Sequence, residues 1–360
     1  MKNVTHVITT IARGGAENQL KVLVHEQIKF GYKVEVIYLK GEPELRDELI
    51  SLGAVVIDFC NGKNLLSQIC FLKKYISMNL GIVHAHLPRA EIVTALAAHK
   101  NPFLVTRHNS EPFYPNAPRW LSTLLSRFVA KRCQAIIAIS HAVKRYLLSS
   151  KEVASADQIE VIHYGYDSSF WEKNPERIRN TTNCFVIGSI GRLVEQKDFA
   201  TLLKSFKFFC KEHPNSQLRI VGEGELGNEL KKLARDLNIE NNITWVGRTA
   251  DVPAQLMKMD IFVLASRYEG FGMVLLEAIQ AGLPVLAANN TAIPEVLGEN
   301  SSGLFETSNS IDLWSKLEKF YDERSRTSLK SEQQLRLSVF TPLKMFKEVE
   351  SVYKKIQVMT

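Results

Sequence analysis

A chain of 360 residues with 45% hydrophobic and 23% charged residues is more than one hydrophobic core usually organises, so it reads as two globular domains. No apolar run reaches the roughly 18 residues a membrane-spanning helix needs. The first ten residues lack the apolar stretch of a secretory signal, and the five scattered cysteines, never spaced CxxC, fit neither a disulfide framework nor a zinc cage; a cytoplasmic protein is expected. The net charge of +7 is uneven, with 20 Lys/Arg against 14 Asp/Glu in residues 1–170 and 25 against 24 beyond. Excess positive charge in the first half suits an anionic partner, a membrane surface, nucleic acid or a phosphorylated substrate, and equally fits lysines spread over a solvated surface; no recognisable nucleic-acid module is present.

Short apolar runs alternate with amphipathic stretches. Val4–Ile11 predicts a strand, Gly14-Gly15 a turn and Ala16–Phe30 a helix. Strands follow over Val34–Leu39, Ala54–Phe59, Ile82–Ala85, Phe103–Thr106 and Ala135–Ile139. Residues 174–183 are polar, contain Pro175 and have no apolar period, which predicts a linker. The rhythm restarts at Cys184–Ile190 and continues through Leu218–Val221, Ile243–Val246, Ile261–Ala265 and Pro284–Ala287, with helices over Phe199–Cys210 and Glu225–Leu237. The alternation predicts an α/β protein of two doubly wound, mainly parallel sheets, in domains 1–170 and 171–340. After Thr341-Pro342, Met345, Val349, Val352 and Ile356 recur at helical spacing, giving a helix over 343–357 that can return to the first domain.

Three turns carry chemistry. Glu269-Gly270-Phe271-Gly272-Met273 follows a strand and opens a helix that ends near Gly282 and Pro284. Its glycines let the backbone approach a ligand, and the N–H groups at the helix start suit phosphate or sugar oxygens. Glu269 in the loop and Glu277 one turn into the helix can accept hydrogen bonds from vicinal hydroxyls. Gly191–Lys197 holds Arg192, a planar fork, and Lys197, a point charge, a pair suited to a diphosphate. Arg13-Gly14-Gly15-Ala16-Glu17 resembles a phosphate-binding turn, although it is neither GxGxxG nor a P-loop. Taken singly, each turn is also compatible with an ordinary glycine-rich turn or with surface charge.

In this order, the run SRYEGFGMVLLEAIQAGLPVLA at 266–287, GRLVEQKDFATLLKSF at 191–206, RGGAE at 13–17, VIHYGYD at 161–167, RIVGEGEL at 219–226 and ITWVGRTADVP at 243–253 resemble the retaining glycosyltransferases of family four. The resemblance covers nearly the whole chain. It implies the GT-B fold, two Rossmann-like domains facing each other across a cleft, and a hexosyltransferase. Such an enzyme moves a sugar from a nucleotide diphosphate-sugar, UDP more often than GDP, to a hydroxyl of a glycan or lipid-linked glycan. The setting implied is cell-surface polysaccharide synthesis, with no metal cofactor.

By the same resemblance, Glu269 meets hydroxyls of the donor sugar and Glu277 the ribose. Gly270 and the backbone amides of Phe271, Gly272 and Met273 face the sugar or diphosphate. Arg192 and Lys197 neutralise the leaving pyrophosphate, Gly15 lets the first domain approach the same phosphates, and Arg248 and Thr249 meet the nucleobase. His108 matches a histidine that contacts the donor sugar and organises the reacting centre; a histidine bonded to loop backbone is the other reading. Front-face attack, with the leaving phosphate taking the acceptor's proton, is preferred to double displacement through Glu269.

His84 and His86 share one face of a strand with no acidic or cysteine neighbour to complete a metal site, and they read as a cleft wall near the acceptor. Trp120, Leu121, Leu124, Leu125 and Phe128 form an apolar helical stripe beside Arg127, Lys131 and Arg132. The stripe fits either core packing or an interfacial helix; the second would bring the N-terminal domain to an anionic membrane. The alternatives are a sugar-nucleotide 2-epimerase of the same fold and a non-catalytic nucleotide-sugar-binding subunit. A nicotinamide-dependent dehydrogenase is disfavoured, because no GxGxxG follows the first strand.

Overall fold

The computed structural model describes residues 2–358 apart from 80, 99–100, 115–116, 169–183 and 250. The predicted linker at 174–183 and the predicted boundary at 170/171 lie outside the described residues. The chain forms two compact units, one of Met1–Asp167 with Phe340–Thr360 and one of Ser168–Val339.

In the first unit, strands β1 (Lys2–Ile8), β2 (Tyr32–Tyr38), β3 (Val55–Ile57), β4 (Ile82–His86), β5 (Phe103–Arg107), β6 (Ala135–Ala138) and β7 (Ile159–Val161) form one sheet. The order is β3-β2-β1-β4-β5-β6-β7, and every pair is parallel. Val4 of β1 pairs with Val34 on one side and Ile82 on the other. β4, β5 and β6 are buried at every residue, as expected for a parallel sheet covered on both faces. Their sequences accordingly read as mainly apolar runs, with the polar residues of β4 and β5 (His84, His86, Thr106 and Arg107) buried as well.

The helix Pro342–Val358 belongs to this unit. Met345, Phe346, Val349, Val352, Tyr353 and Ile356 share a core with Val4, Ile8, Leu20, Val24 and Tyr32. The returning chain passes so close to residue 165 that a Cβ there would lie 2.6 Å from the Pro342 Cα. Only Gly165 fits, and the Tyr166 N–H donates to the Phe340 carbonyl at 2.7 Å.

The second unit repeats the architecture. Strands β8 (Val186–Ile190), β9 (Gln217–Val221), β10 (Ile243–Gly247), β11 (Ile261–Leu264), β12 (Val285–Ala288) and β13 (Leu304–Phe305) run parallel in the order β10-β9-β8-β11-β12-β13. In each sheet the order reverses once, between β1 and β4 and between β8 and β11. Loops at the carboxyl ends of strands flanking such a reversal diverge and leave a crevice, where open α/β sheets bind ligands.

The helix Arg119–Arg132 departs from one expectation. Its buried face is Ser122, Ser126, Val129 and Ala130, while Trp120 is 66% and Leu124 54% exposed. The inward face uses hydroxyls because it must serve polar groups. Arg107 donates to the Ser126 Oγ at 2.9 Å, and the Tyr114 N–H donates to the Ser122 Oγ at 2.9 Å. Of the apolar stripe, Trp120 and Leu124 are left outside while Leu121, Leu125 and Phe128 are half-buried, so core packing accounts for only part of it. Among the described residues, no helix is long and apolar enough to cross a membrane.

Candidate active site

In the second unit, the loops that follow β8 and β11 meet beside the strand-order reversal. The Arg267 N–H donates to the Gln196 carbonyl at 2.7 Å, and the Gln196 side chain donates to the Tyr268 carbonyl at 3.0 Å. Between them, the Lys197 Nζ donates to the Glu269 Oε1 at 2.5 Å, and the Ser266 Oγ donates to the same oxygen at 2.6 Å. Glu269 is 6% exposed, and its own N–H donates to the Thr291 Oγ1 at 2.8 Å. Arg192, on the same loop as Lys197, is exposed.

Asp198, directly after Lys197, anchors that loop. It adopts a left-handed backbone (φ 45°), accepts from the Thr201 N–H as the cap of the helix Phe199–Glu212, and accepts from the Ser308 Oγ at 2.6 Å. A short side chain that bonds locally tolerates this conformation.

The loop after β9 is pressed against the loop after β8. The Gly191 N–H donates to the Val221 carbonyl and the Leu193 N–H to the Glu223 carbonyl. A Cβ at residue 222 would lie 2.0 Å from the Gly191 oxygen, and one at residue 224 would lie 2.4 Å from the Leu193 oxygen. The GEG of 222–224 is therefore a packing requirement. Gly222 in turn donates to the Gly247 carbonyl, so Arg248, which is exposed, and Thr249, whose Oγ1 accepts from the Asp251 N–H, stand on a third loop of the same set.

Gly272 caps the helix Met273–Gln280 with φ 89°, a left-handed conformation glycine adopts without strain. Gly270 precedes it in the same turn, Phe271 is buried, and Met273 opens the helix. Glu277 sits one turn in, and burial pushes its carboxyl up to about 7. The structure thus gathers Arg192, Lys197, Glu269, Gly270, Phe271, Gly272 and Met273 around one meeting of loops. Sequence reasoning missed Gln196, Ser266 and Thr291, which hold the arrangement by local hydrogen bonds between loops and leave no spacing signal.

In the first unit, Gly15 begins the helix Gly15–Lys29, beside the reversal at β1. A Cβ there would meet nothing within 4 Å, whereas one at Gly14 would strike the Glu17 carboxylate, which accepts from the Thr10 Oγ1 at 2.6 Å. His108 follows β5 and is half-buried. Its Nδ1 lies 2.5 Å from the Tyr164 hydroxyl and its Nε2 3.3 Å from the His86 Nδ1. Its partners are side chains, which corrects the loop-backbone reading.

His84 and His86 do share a face, but they form no cleft wall. They are 0% and 3% exposed and lie inside the first unit. The His86 Nε2 is 3.0 Å from the His6 Nδ1, and the His6 Nε2 is 2.9 Å from the Gln27 Oε1. The His84 Nδ1 lies 2.8 Å from the Tyr353 hydroxyl and its Nε2 2.7 Å from the Thr106 Oγ1. Burial lowers all four rings: His6 to about 4, His108, with Arg107 adding to the effect, to about 3, and His84 and His86 well below the ordinary value. His6, His84 and His86 offer nitrogens within 4.8 Å of one another, as a metal would require. Each of those nitrogens already has a hydrogen-bond partner, and no carboxylate belongs to the group.

The sequence model of glycosyl transferases group 1 matches residues 171–336, and that of glycosyltransferase family 4 matches residues 13–170. An uncharacterized glycosyltransferase of Haemophilus influenzae is 26% identical over 321 residues, 87% of this chain and 88% of the relative. A UDP-Gal:alpha-D-GlcNAc-diphosphoundecaprenol alpha-1,3-galactosyltransferase of Escherichia coli is 27% identical over 241 residues, 63% of this chain and 62% of its own. Among solved structures, Anabaena HepE in complex with UDP-glucose superposes with a TM-score of 0.83 at 18% identity, covering 99% of this chain and 100% of that one, a likeness of fold. With both halves matched and two Rossmann-like parallel-sheet units in place, the chain belongs to glycosyltransferase family 4 and has the GT-B class of fold.

Proposed function

We propose that the chain transfers a hexose from a UDP-sugar to a hydroxyl of a lipid-linked glycan, with retention at the anomeric carbon, in cell-surface polysaccharide synthesis. The observation that carries the reading is the meeting of Lys197 and Glu269 beside the glycine-lined start of the helix Met273–Gln280. A nucleotide diphosphate-sugar presents both groups such a site would separate, an anionic diphosphate and a hydroxyl-bearing ring. On donor binding, Lys197 turns from Glu269 to the diphosphate, and the carboxylate so released accepts from the sugar hydroxyls.

The bond from the anomeric carbon to phosphate breaks, and the bond to the acceptor oxygen forms on the same face. The acceptor's proton passes to the leaving phosphate. Arg192, Lys197 and the helix N–H groups meet the charge that develops there, a preorganised electrostatic effect worth several kcal/mol in other enzymes, in place of a divalent cation. Glu277 accepts from the ribose, and Arg248 and Thr249 border the base. UDP is favoured by the E. coli relative, named for UDP-Gal, and by HepE, which holds UDP-glucose.

The lipid-linked acceptor is supported by the first unit's surface. Trp120 and Leu124 stand exposed among Arg119, Arg127 and Lys131. Leu65, Leu66, Phe71 and Met78 are exposed on the helix Leu65–Met78, beside Lys73 and Lys74, in the same unit. Apolar and cationic side chains mixed in this way suit the surface of an anionic membrane, here the inner face of the cytoplasmic membrane.

A thermal-melt panel with UDP, GDP, ADP, CMP and NAD tests the reading. A nucleotide at about 100 times its Kd adds roughly 2.7 kcal/mol, a shift of several degrees. Stabilisation by UDP is expected; stabilisation by NAD alone, or by none of the five, overturns the proposal.

A further inference from the structure

Read donor by donor, the buried histidines of the first unit form one directed chain. The Gln27 amide sets the direction, because its Nε2 donates to the Tyr353 hydroxyl at 3.0 Å and its Oε1 faces the His6 Nε2 at 2.9 Å. An amide oxygen can only accept, so the His6 Nε2 carries the proton and its Nδ1 is a lone pair. The His86 Nε2 must then donate to the His6 Nδ1, which leaves the His86 Nδ1 as an acceptor. The His108 Nε2 donates to that atom, and the His108 Nδ1 accepts from the Tyr164 hydroxyl. On the other branch, the Tyr353 hydroxyl, having accepted from Gln27, donates to the His84 Nδ1, and the His84 Nε2 donates to the Thr106 Oγ1. No atom is asked to donate and accept the same proton. Four imidazoles therefore share one tautomer, which in each ring is set by the bond its other nitrogen makes.

We propose that Tyr164, His86, His6 and Gln27 are positioning residues for His108, locking its ring as the neutral Nε2–H tautomer with both nitrogens engaged inside the protein. The ring so held has no lone pair left to act as a base. It meets a ligand through its uncharged edge and through the loop it fixes. That all four rings resist protonation agrees with this. Its bearing on sugar transfer rests on the function proposed above; the ring chemistry does not.

The test is a long-range proton–nitrogen NMR spectrum of the full chain labelled with 15N-histidine, with His108 assigned through His108→Asn. The expected pattern at His108 is a protonated Nε2 and an unprotonated Nδ1, constant from about pH 5 to about pH 8. Gln27→Met removes the acceptor at the far end. It is expected to shift the His108 nitrogens toward the average of two tautomers, although His6 and His86 stand between. Tyr164→Phe is expected to shift the His108 Nδ1 alone. A protonated His108 Nδ1 in the parent overturns the proposal, as does a His108 spectrum indifferent to Gln27→Met. If neither variant folds, the parent spectrum decides by itself. A parent inactive with every nucleotide-sugar would sink the functional reading and leave these shifts in place.

Discussion

Lys197 and Glu269 are 72 positions apart in the chain and 2.5 Å apart in space. One stands on the loop after β8 and the other on the loop after β11, so the strand-order reversal of the second sheet brings them together. Lys197→Ala removes a cation from the site and its partner from a nearly buried carboxylate. Turnover is expected to fall by about 10²–10³-fold, as on loss of one charge-stabilising donor, and stability by about 1–3 kcal/mol. Glu269→Gln leaves Lys197 its charge, so nucleotide binding should survive while turnover with the intact donor falls. Steady-state kinetics with donor varied, alongside UDP titration, separates the two; equal loss of UDP binding in both variants counts against the division of roles.

Glu277 gives a pH signature. Burial raises its folded-state value from the ordinary 4.5 to about 7, so the native state holds this proton more tightly than the unfolded chain. Its contribution is therefore fully present below about pH 4.5 and is lost as the pH rises through about 7, where the half-buried carboxylate must ionise. Glu277→Gln should match the parent's stability at about pH 4.5 and exceed it at pH 8, by at most about 3 kcal/mol. Urea unfolding at the two pH values checks this, and a variant equally stable relative to the parent at both refutes it.

The glycines make opposite predictions in the two units. Gly222→Ala sets a Cβ 2.0 Å from the Gly191 oxygen at φ 132°. It should cost about 2–4 kcal/mol and loosen the loop that carries Arg192. Gly15→Ala meets nothing within 4 Å and lies at a helix start, so melting should be unchanged or slightly raised. If phosphates approach this turn, the same change should raise KM for the donor. A melting scan and a donor titration on both variants read the contrast.

Trp120→Ala and Leu124→Ala remove exposed side chains, so stability should move by no more than about 0.5 kcal/mol. Co-sedimentation with vesicles containing anionic phospholipid should fall in both at low salt. Unchanged sedimentation, or a parent that ignores the vesicles, counts against membrane contact through this helix.

The sequence made the sheets legible because parallel strands buried on both faces are written largely as apolar runs; eleven of them stand within three residues of their expected limits. Among the edge strands, β13 is only two residues long, and β7, Ile159–Val161, is broken by Glu160, whereas the equally short β3 lies inside an apolar run. The helix Arg119–Arg132 was legible only in part, because its inward side serves Arg107 and the Tyr114 N–H with serines while Trp120 stays out. In the candidate site, the motif residues were recognisable one loop at a time, but the bond from Lys197 to Glu269 depends on the order of strands between them. His84 and His86 looked partnerless for the same reason, since His6, Gln27 and Tyr353 reach them only through β1, the first helix and the last.

The return of the final helix to the first unit bears on how the polypeptide is made. Met345, Phe346, Val349, Val352, Tyr353 and Ile356 complete a core whose other residues begin at Val4. On the ribosome, the N-terminal sheet and its first helix must therefore wait with part of one apolar face uncovered while the whole second unit is synthesised. The later-made unit, Ser168–Val339, is the one able to close first. Vectorial synthesis usually favours the N-terminal domain; here the order of birth and the order of completion are reversed, and a nascent chain halted before Pro342 would offer the uncovered part of that face to chaperones.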